Sequence, residues 1–349
     1  MKIEWLNTPA KKIDQNYIQL AEKQQTTLTK PAGSLGQLEA FAIRFAGMQA
    51  TETPTISKIH CCVFAADHGI ATEGVSAFPQ VVTGEMIRNF ASGGAAISVL
   101  TKNIGASLEV INLGTINTLE EIENVKTCSL GKGTKNFLNE PAMSEEQLSR
   151  AIHIGRQAVE RAKLEDCQLY IGGEMGIGNT TSATAISCVL LNISPELLSG
   201  PGTGLDSKGI EHKANIISQA LTKHNDEMIT PLDVLKNLGG FEIAALVGAY
   251  ITCAQIGIPC VVDGYISTVA ALLACRILPE TQHWLIFSHA SAEPGHKTLL
   301  SSLHVKPVLN LGMRLGEGSG AATCVPLLQL ACELHNNMAS FAEASVSEN

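Results

Sequence analysis

Two acids that stand alone on glycine turns are the residues best suited to chemistry in this chain. The first is Glu174, within GGEMGIGNTT (Gly172 to Thr181), where an apolar run ends in glycines and restarts as a helix. Gly176 and Gly178 remove side chains, so backbone N–H groups can reach a ligand, and Asn179, Thr180 and Thr181 are candidates to cap the helix. The positive end of such a helix favours a phosphate. The stretch is not a Walker loop, since no Lys follows its glycines, and it lacks GxGxxG spacing. The second acid is Glu317, within MRLGEGSGAA (Met313 to Ala322), ahead of an apolar helix expected from near Ser319. Beside Met313 and Leu315 it would lose solvation, which moves a carboxyl upward toward the range of a general base. A third glycine loop, GPGTGLD (Gly200 to Asp206), precedes a helix carrying Lys208 and Lys213. Gly202, Thr203 and Gly204 could donate to a phosphate whose charge Lys213 balances. On residue types alone, a turn, a helix cap and a solvated lysine remain open readings of all three.

Something must hold these turns together. Short β-rich apolar runs occur at Ile59 to Phe64, Leu108 to Leu113, Gln168 to Ile171, Ile258 to Val262 and Trp284 to Phe287, with helical patterns between most of them. That alternation predicts an α/β fold with a parallel sheet covered on both faces. Polar or glycine residues follow the runs (Asp67-His68-Gly69, Gly114, Glu174, Asp263-Gly264, Ser288-His289), where open α/β sheets bind ligands. Helix-like segments at roughly 15–48 and 321–338 lack strands between them and could form a smaller helical unit from the two chain ends. The residues from about Glu343 read as a frayed polar tail, and 131–141 as a surface connection.

Composition narrows the function classes. With 349 residues the chain can bury a large core, and a net charge of −9 does not recruit nucleic acid. Ile243 to Val262 carries no charge, but Gln255, Gly257 and Pro259 break it, so it reads as a buried helix followed by a buried strand rather than a membrane span. The first residues lack the apolar core of a secretory signal, and ten scattered cysteines suit reduced thiols in a cytoplasm. Cys61-Cys62 is vicinal and is assigned to packing; Cys61, Cys62 and Cys275 sit in apolar runs where a thiol stays protonated. His289, Glu293 and His296 are close in sequence, yet Pro294 and Gly295 interrupt the helix that would align them, so no metal site is expected.

Taken in order, KPAGSLGQLE (from Lys30), ADHGI (from Ala66), GVSAFPQ (from Gly74), GGEMGIGNTT, GPGTGLD, GGFE (from Gly239), DGYIS (from Asp263), SHASAEPGH (from Ser288) and MRLGEGSGAA form a series in register. From about Lys30 to Met338 the chain strongly resembles the nicotinate-nucleotide:dimethylbenzimidazole phosphoribosyltransferase family, which builds the lower nucleotide loop of cobalamin. The resemblance implies a large Rossmann-like domain (51–320), a small helical domain from both termini (1–50 and 321–349), and a cytoplasmic homodimer in which one subunit helps close the other's site. It implies transfer of the phosphoribosyl group of nicotinate mononucleotide to 5,6-dimethylbenzimidazole or a related base, without metal or cofactor. Glu317 matches the general base. Glu174 would stabilise positive charge at the ribose, the preferred reading, or orient the incoming base. Gly176, Gly178, Asn179, Thr180, Gly202, Gly204 and Lys213 would hold phosphate and ribose, with Asp263 and Ser291 as further ribose or nicotinate contacts. Phe78, Met86, Met175 and Leu315 would form a slot for the flat base; the family varies at the positions of Phe78 and Met86, which leaves the preferred base open. Two other classes keep some of these features. A nicotinamide-dependent oxidoreductase would use the sheet but wants the missing GxGxxG loop, and a non-catalytic nucleotide sensor has no use for two acids on glycine turns.

Overall fold

The computed structural model describes residues 3–347. Its strands are β1 (Ile59–Ala66), β2 (Ser107–Gly114), β3 (Val125–Thr127), β4 (Leu169–Met175), β5 (Cys260–Val262) and β6 (Leu285–Phe287). They form one sheet in the order β3-β2-β1-β4-β5-β6, every pair parallel. Chain order reverses between β1 and β4, which makes their carboxyl ends the switch point at which such sheets bind ligands.

Strand residues alternate between faces, and the two cores follow that period. From β1, Cys62, Phe64 and Ala66 enter one apolar cluster, while Cys61, Val63 and Ala65 enter the other. The vicinal cysteines therefore point to opposite faces and serve packing. The first cluster is dominated by the helix Phe241–Ile256, buried up to Ala254, which explains the charge-free stretch read from the sequence. No helix among the described residues is long and apolar enough to cross a membrane.

The chain ends cover the other face. Helices Gln15–Thr27, Gln37–Gln49 and Ser319–Asn337 pack on one another, Thr29 N–H donates to Ala339 O at 3.0 Å, and Gln25 Nε2 meets His335 Nδ1 at 2.8 Å. Their side chains Phe41, Phe45, Val325 and Leu328 share a cluster with Cys61 and Val63 of the sheet.

Four expectations need correction. The segment 15–48 is two helices, parted where Lys30 pairs with Glu39 at 3.0 Å and Leu35 N–H donates to the same carboxylate. β3 has no apolar run to announce it, being three half-buried or exposed residues on the sheet edge. Residues 131–141 are not a plain surface connection: Phe137 is fully buried and Thr134 N–H donates to Asp67 O at 2.9 Å beneath the end of β1. The tail from Glu343 begins inside a capped turn of helix, Phe341–Ala344, with Ser340 and Glu343 capping reciprocally; its residues 348–349 lie outside the described residues.

Candidate active site

A cleft of about 260 Å³ opens at the carboxyl ends of β4, β5 and β6. Glu174, Met175 and Gly176 enter it from β4 and the turn after it, and Asn179 and Thr180 from the helix Asn179–Leu191. Gly202 comes from the loop before the helix Ser207–His224, Asp263 from the end of β5 and Ser291 from the loop after β6. Phe78 and Leu315, both exposed, form its mouth. Five of the residues singled out from sequence lie outside this lining: Gly178, Gly204, Lys213, Met86 and Glu317.

The helix after β4 is begun by Gly178 at φ +98°, with no side-chain cap. Asn179 does not cap it, contrary to the sequence reading; its Nδ2 donates instead to Glu174 Oε2. This is the better use of the amide, because a buried carboxyl oxygen without a donor is costly, whereas the Asn179 and Thr181 amides at the helix start already donate to Gly176 O and Gly178 O. The strand glycines are explained by packing. A Cβ on Gly172 would lie 2.6 Å from Leu246, and one on Gly173 would run into the backbone of Glu317 and Gly318.

That backbone contact brings the two acids together. Gly316, Glu317 and Gly318 all have positive φ (93°, 65° and 85°), a conformation that costs a non-glycine residue such as Glu317 about 1 kcal/mol or more. The turn lays its peptide on Gly173, and Gly316 passes over Glu174 Oε1 with no room for a side chain. Glu317 is 5% exposed. Its burial comes from the sheet and from the helix Ala96–Asn103, not from Leu315, which is largely exposed. Burial raises its pKa, the Ile97 amide offsets part of the rise, and Asp263 adds to it. Glu317 Oε2 is buried with no hydrogen-bond partner among the described residues. For Glu174, burial and the charges of Glu242, Asp263 and Glu317 push the pKa well above the ordinary carboxyl range, against the Asn179 bond.

Asp263 has a task the sequence did not show. Its Oδ2 accepts from Gly318 N–H at 3.1 Å and its Oδ1 from Ala321 N–H at 3.0 Å, so it pins the start of the helix Ser319–Asn337 and with it the Glu317 turn. Ser291 is held by His296, whose Nδ1 accepts from the Ser291 amide at 2.8 Å while Nε2 meets Thr268 Oγ1 at 2.9 Å. Burial lowers the His296 pKa to about 3, so the ring is neutral and donates from Nε2 to Thr268. Both nitrogens are thus engaged, and among the described residues no group of three or more His, Cys, Asp or Glu is placed to share a metal ion.

Lys213 stands behind the cleft. It is fully buried; Nζ donates to Thr180 Oγ1 at 2.9 Å and to Gly200 O at 3.4 Å. Because Thr180 Oγ1 accepts from the ammonium, its own O–H is free to donate into the cleft. Gly202 closes on the same hydroxyl, where a Cβ would lie 2.8 Å from Thr180 Oγ1, whereas Gly204 faces open space at φ +126°. Sequence reasoning missed Arg314, which lines the cleft and donates from Nη1 to Gly202 O at 3.3 Å, although it stands in the same motif as Glu317.

Burial lowers the Lys213 pKa from 10.5 to about 8, with Glu293 opposing the shift. Below about pH 8 folded and unfolded chains both hold this proton; between about 8 and 10.5 only the unfolded chain does, so this residue makes stability rise with pH in that window. Lys213→Met is therefore expected to stabilise the fold at neutral pH by on the order of 2 kcal/mol, since a desolvated charge is replaced by an apolar chain of similar length. The gain should shrink above pH 8 in urea unfolding. A variant less stable than wild type at every pH would show that the bonds to Thr180 and Gly200 outweigh the buried charge.

Comparison with known proteins agrees with this architecture. A family model described as phosphoribosyltransferase matches residues 10–346. The nicotinate-nucleotide–dimethylbenzimidazole phosphoribosyltransferase of Pseudomonas putida strain KT2440 is 54% identical over 344 residues, 99% of this chain and 98% of the relative. The enzyme of the same name from Pseudomonas fluorescens strain SBW25 is also 54% identical, with the same coverage. A crystal structure of that enzyme from Thermus thermophilus superimposes with a TM-score of 0.91 at 37% identity, covering 97% of this chain and 100% of the other. The sequence resemblance, the doubly covered parallel sheet and the paired acids at its carboxyl edge therefore converge: this chain belongs to the nicotinate-nucleotide–dimethylbenzimidazole phosphoribosyltransferase family.

Proposed function

We propose that the protein transfers the 5-phosphoribosyl group of nicotinate mononucleotide to 5,6-dimethylbenzimidazole or a related base, releasing nicotinate and α-ribazole 5′-phosphate for the nucleotide loop of cobalamin. The observation that carries this reading is the unpartnered, buried Oε2 of Glu317 beside a second buried acid. An azole N–H donates to that oxygen and gives up its proton as the other ring nitrogen forms its bond to C1′. The C1′–pyridinium bond breaks with its electron pair going to the pyridine nitrogen, which neutralises the leaving group without an acid. Entry opposite the departing ring inverts the β-linkage to α. Glu317, displaced from the lining of the open cleft, reaches the azole from the side where Met86 and Met175 pack on the cluster containing Ile97.

Glu174 takes the second of its two roles. Burial and the neighbouring acids favour the neutral form of Glu174, which cannot stabilise a cation as an anion would but can donate a hydrogen bond, so Glu174 orients substrate alongside Glu317. The phosphate sits between the turn at Gly176 and Gly178 and the loop at Gly202 and Gly204. Three amides there are already committed: Ile177 N–H to Thr83, Asn179 N–H to Gly176 and Thr181 N–H to Gly178. Thr180 O–H therefore matters, and Lys213 acts on the phosphate through it, with Arg314 as the exposed counter-charge. Ser291 contacts ribose or nicotinate. Phe78 and Leu315, exposed at the mouth, fit a homodimer whose second subunit closes the cleft, and the terminal helices (1–50 and 321–349) form the small domain. Ten free cysteines fit a reducing cytoplasm.

Incubation with nicotinate mononucleotide and a panel of bases, following nicotinate release and the α-ribotide by chromatography and mass, tests the reading. Base-dependent release of nicotinate is expected, with the panel ranking the preferred base. Nucleotide binding without release under every base would overturn it.

A further inference from the structure

His68 and Glu242 come from motifs that the transfer chemistry leaves unused, and they are 174 residues apart in sequence. In the fold, His68 Nε2 donates to Glu242 Oε1 at 2.6 Å and neither side chain is exposed to solvent. The pair lies under the cleft. A Cβ on Gly176 would come within 3.2 Å of His68 Cδ2 and one on Gly178 within 3.2 Å of His68 Cβ, so the ring fills the space beneath the turn that presents Gly176 and Gly178. Gly240 is bare because a side chain there would strike the His68 ring and the Glu242 carboxylate. Gln80 Nε2 donates to His68 O at 2.9 Å and fixes the same residue from the other side.

We propose that His68 and Glu242 are positioning residues for the transfer: the ring braces the glycine turn, and the carboxylate sets the electrostatic environment in which Glu174 works. The inference rests on the transfer reading for the task of Glu174. Around that acid stand Glu242 from the helix Phe241–Ile256, Asp263 after β5 with His289 Nδ1 at 3.9 Å, Glu317 from the turn before the helix Ser319–Asn337, and Asn179 as donor. Of the three carboxylates, Glu242 raises the Glu174 pKa most, and unlike Asp263 it neither anchors the Glu317 turn nor lines the cleft. Its carboxylate is held by His68, whose ring lies against Gly176 two residues after Glu174, so its influence on substrate runs through Glu174.

The two arms are separable by experiment. Infrared titration of the whole protein follows the protonated carboxyl band of Glu174, identified by its loss in Glu174→Gln. Glu242→Gln keeps the shape and accepts the His68 bond but removes the charge, and is expected to move that titration about one pH unit downward, with the basic limb of kcat moving by the same amount. His68→Gln keeps a donor to Glu242 but not the ring; it should leave the Glu174 titration in place while raising KM for the nucleotide about tenfold. Coincident Glu174 titrations in wild type and Glu242→Gln, or an unchanged KM in His68→Gln, would overturn the corresponding arm. If Glu242→Gln does not fold, the wild-type band decides: a Glu174 already ionised at neutral pH overturns the electrostatic arm. Because the band is read without turnover, it stands apart from any failure of the transfer reading.

Discussion

Glu317→Gln is expected to lower kcat by about 10²–10⁴-fold, the usual worth of a positioned general base, while KM for the nucleotide changes by no more than about twofold. The split follows from geometry. Glutamine preserves the length of the side chain and the backbone turn, so the peptide lying on Gly173 and the bonds from Gly318 and Ala321 to Asp263 should survive. It replaces one carboxylate oxygen by an amide that carries no basic lone pair, which removes the acceptor for the azole proton and nothing that touches the phosphate. The pH profile gives a second readout. A base works only when deprotonated, and burial raises the Glu317 pKa above the ordinary carboxyl value. Wild-type kcat should therefore fall as pH drops through a value above 4.5, and that acidic limb should be missing from the residual rate of the variant. Wild-type turnover by Glu317→Gln, measured as nicotinate release at saturating base, would remove Glu317 from the base position.

How far the sequence foretold this site depends on the range of the interaction. Buried parallel strands read as apolar runs because both faces are covered, so five of the six were legible and only β3, short and on the edge, was not. The glycine turns were equally visible, since few residues other than glycine accept positive φ. What each glycine makes room for was not visible: Gly172 and Gly173 accommodate Leu246 and the Glu317 turn rather than a ligand. Lys213 was read as part of a phosphate site, and only the fold shows its ammonium behind the cleft, bonded to Thr180 Oγ1. Arg314, Asp263 as an anchor of the Glu317 turn, and the His68–Glu242 pair all depend on side chains that meet across long stretches of chain, for which periodicity carries no signal.

Gly173→Ala should be nearly as damaging to turnover as loss of the base itself, although it adds one methyl to a residue that touches no substrate. The new Cβ would lie 2.7 Å from Glu317 C and 3.0 Å from Gly318 N. These are backbone atoms, and they have nowhere cheap to go. The turn is already in the left-handed region at three successive residues, and Asp263 holds it from below through two amides. Moving the turn outward therefore breaks those bonds or tilts the helix Ser319–Asn337; moving β4 instead disturbs its pairing with β1, where Gly173 stands opposite Val63. Either way Glu317 and Glu174 part by a fraction of an ångström to an ångström, a misplacement that can cost about 10²-fold in rate, and overpacking lowers stability by about 1–3 kcal/mol. Phosphate contacts on the far side of the cleft are untouched, so KM for the nucleotide should stay within about threefold even as kcat falls. Gly204→Ala is the matched control: its φ of +126° strains the backbone, but nothing lies within 4 Å of the added carbon, so it should lose stability without a comparable loss of kcat. Thermal melts and steady-state kinetics on the two variants separate the cases. A folded Gly173→Ala protein with wild-type kcat would mean that the close seat of the Glu317 turn on β4 does not govern the reaction.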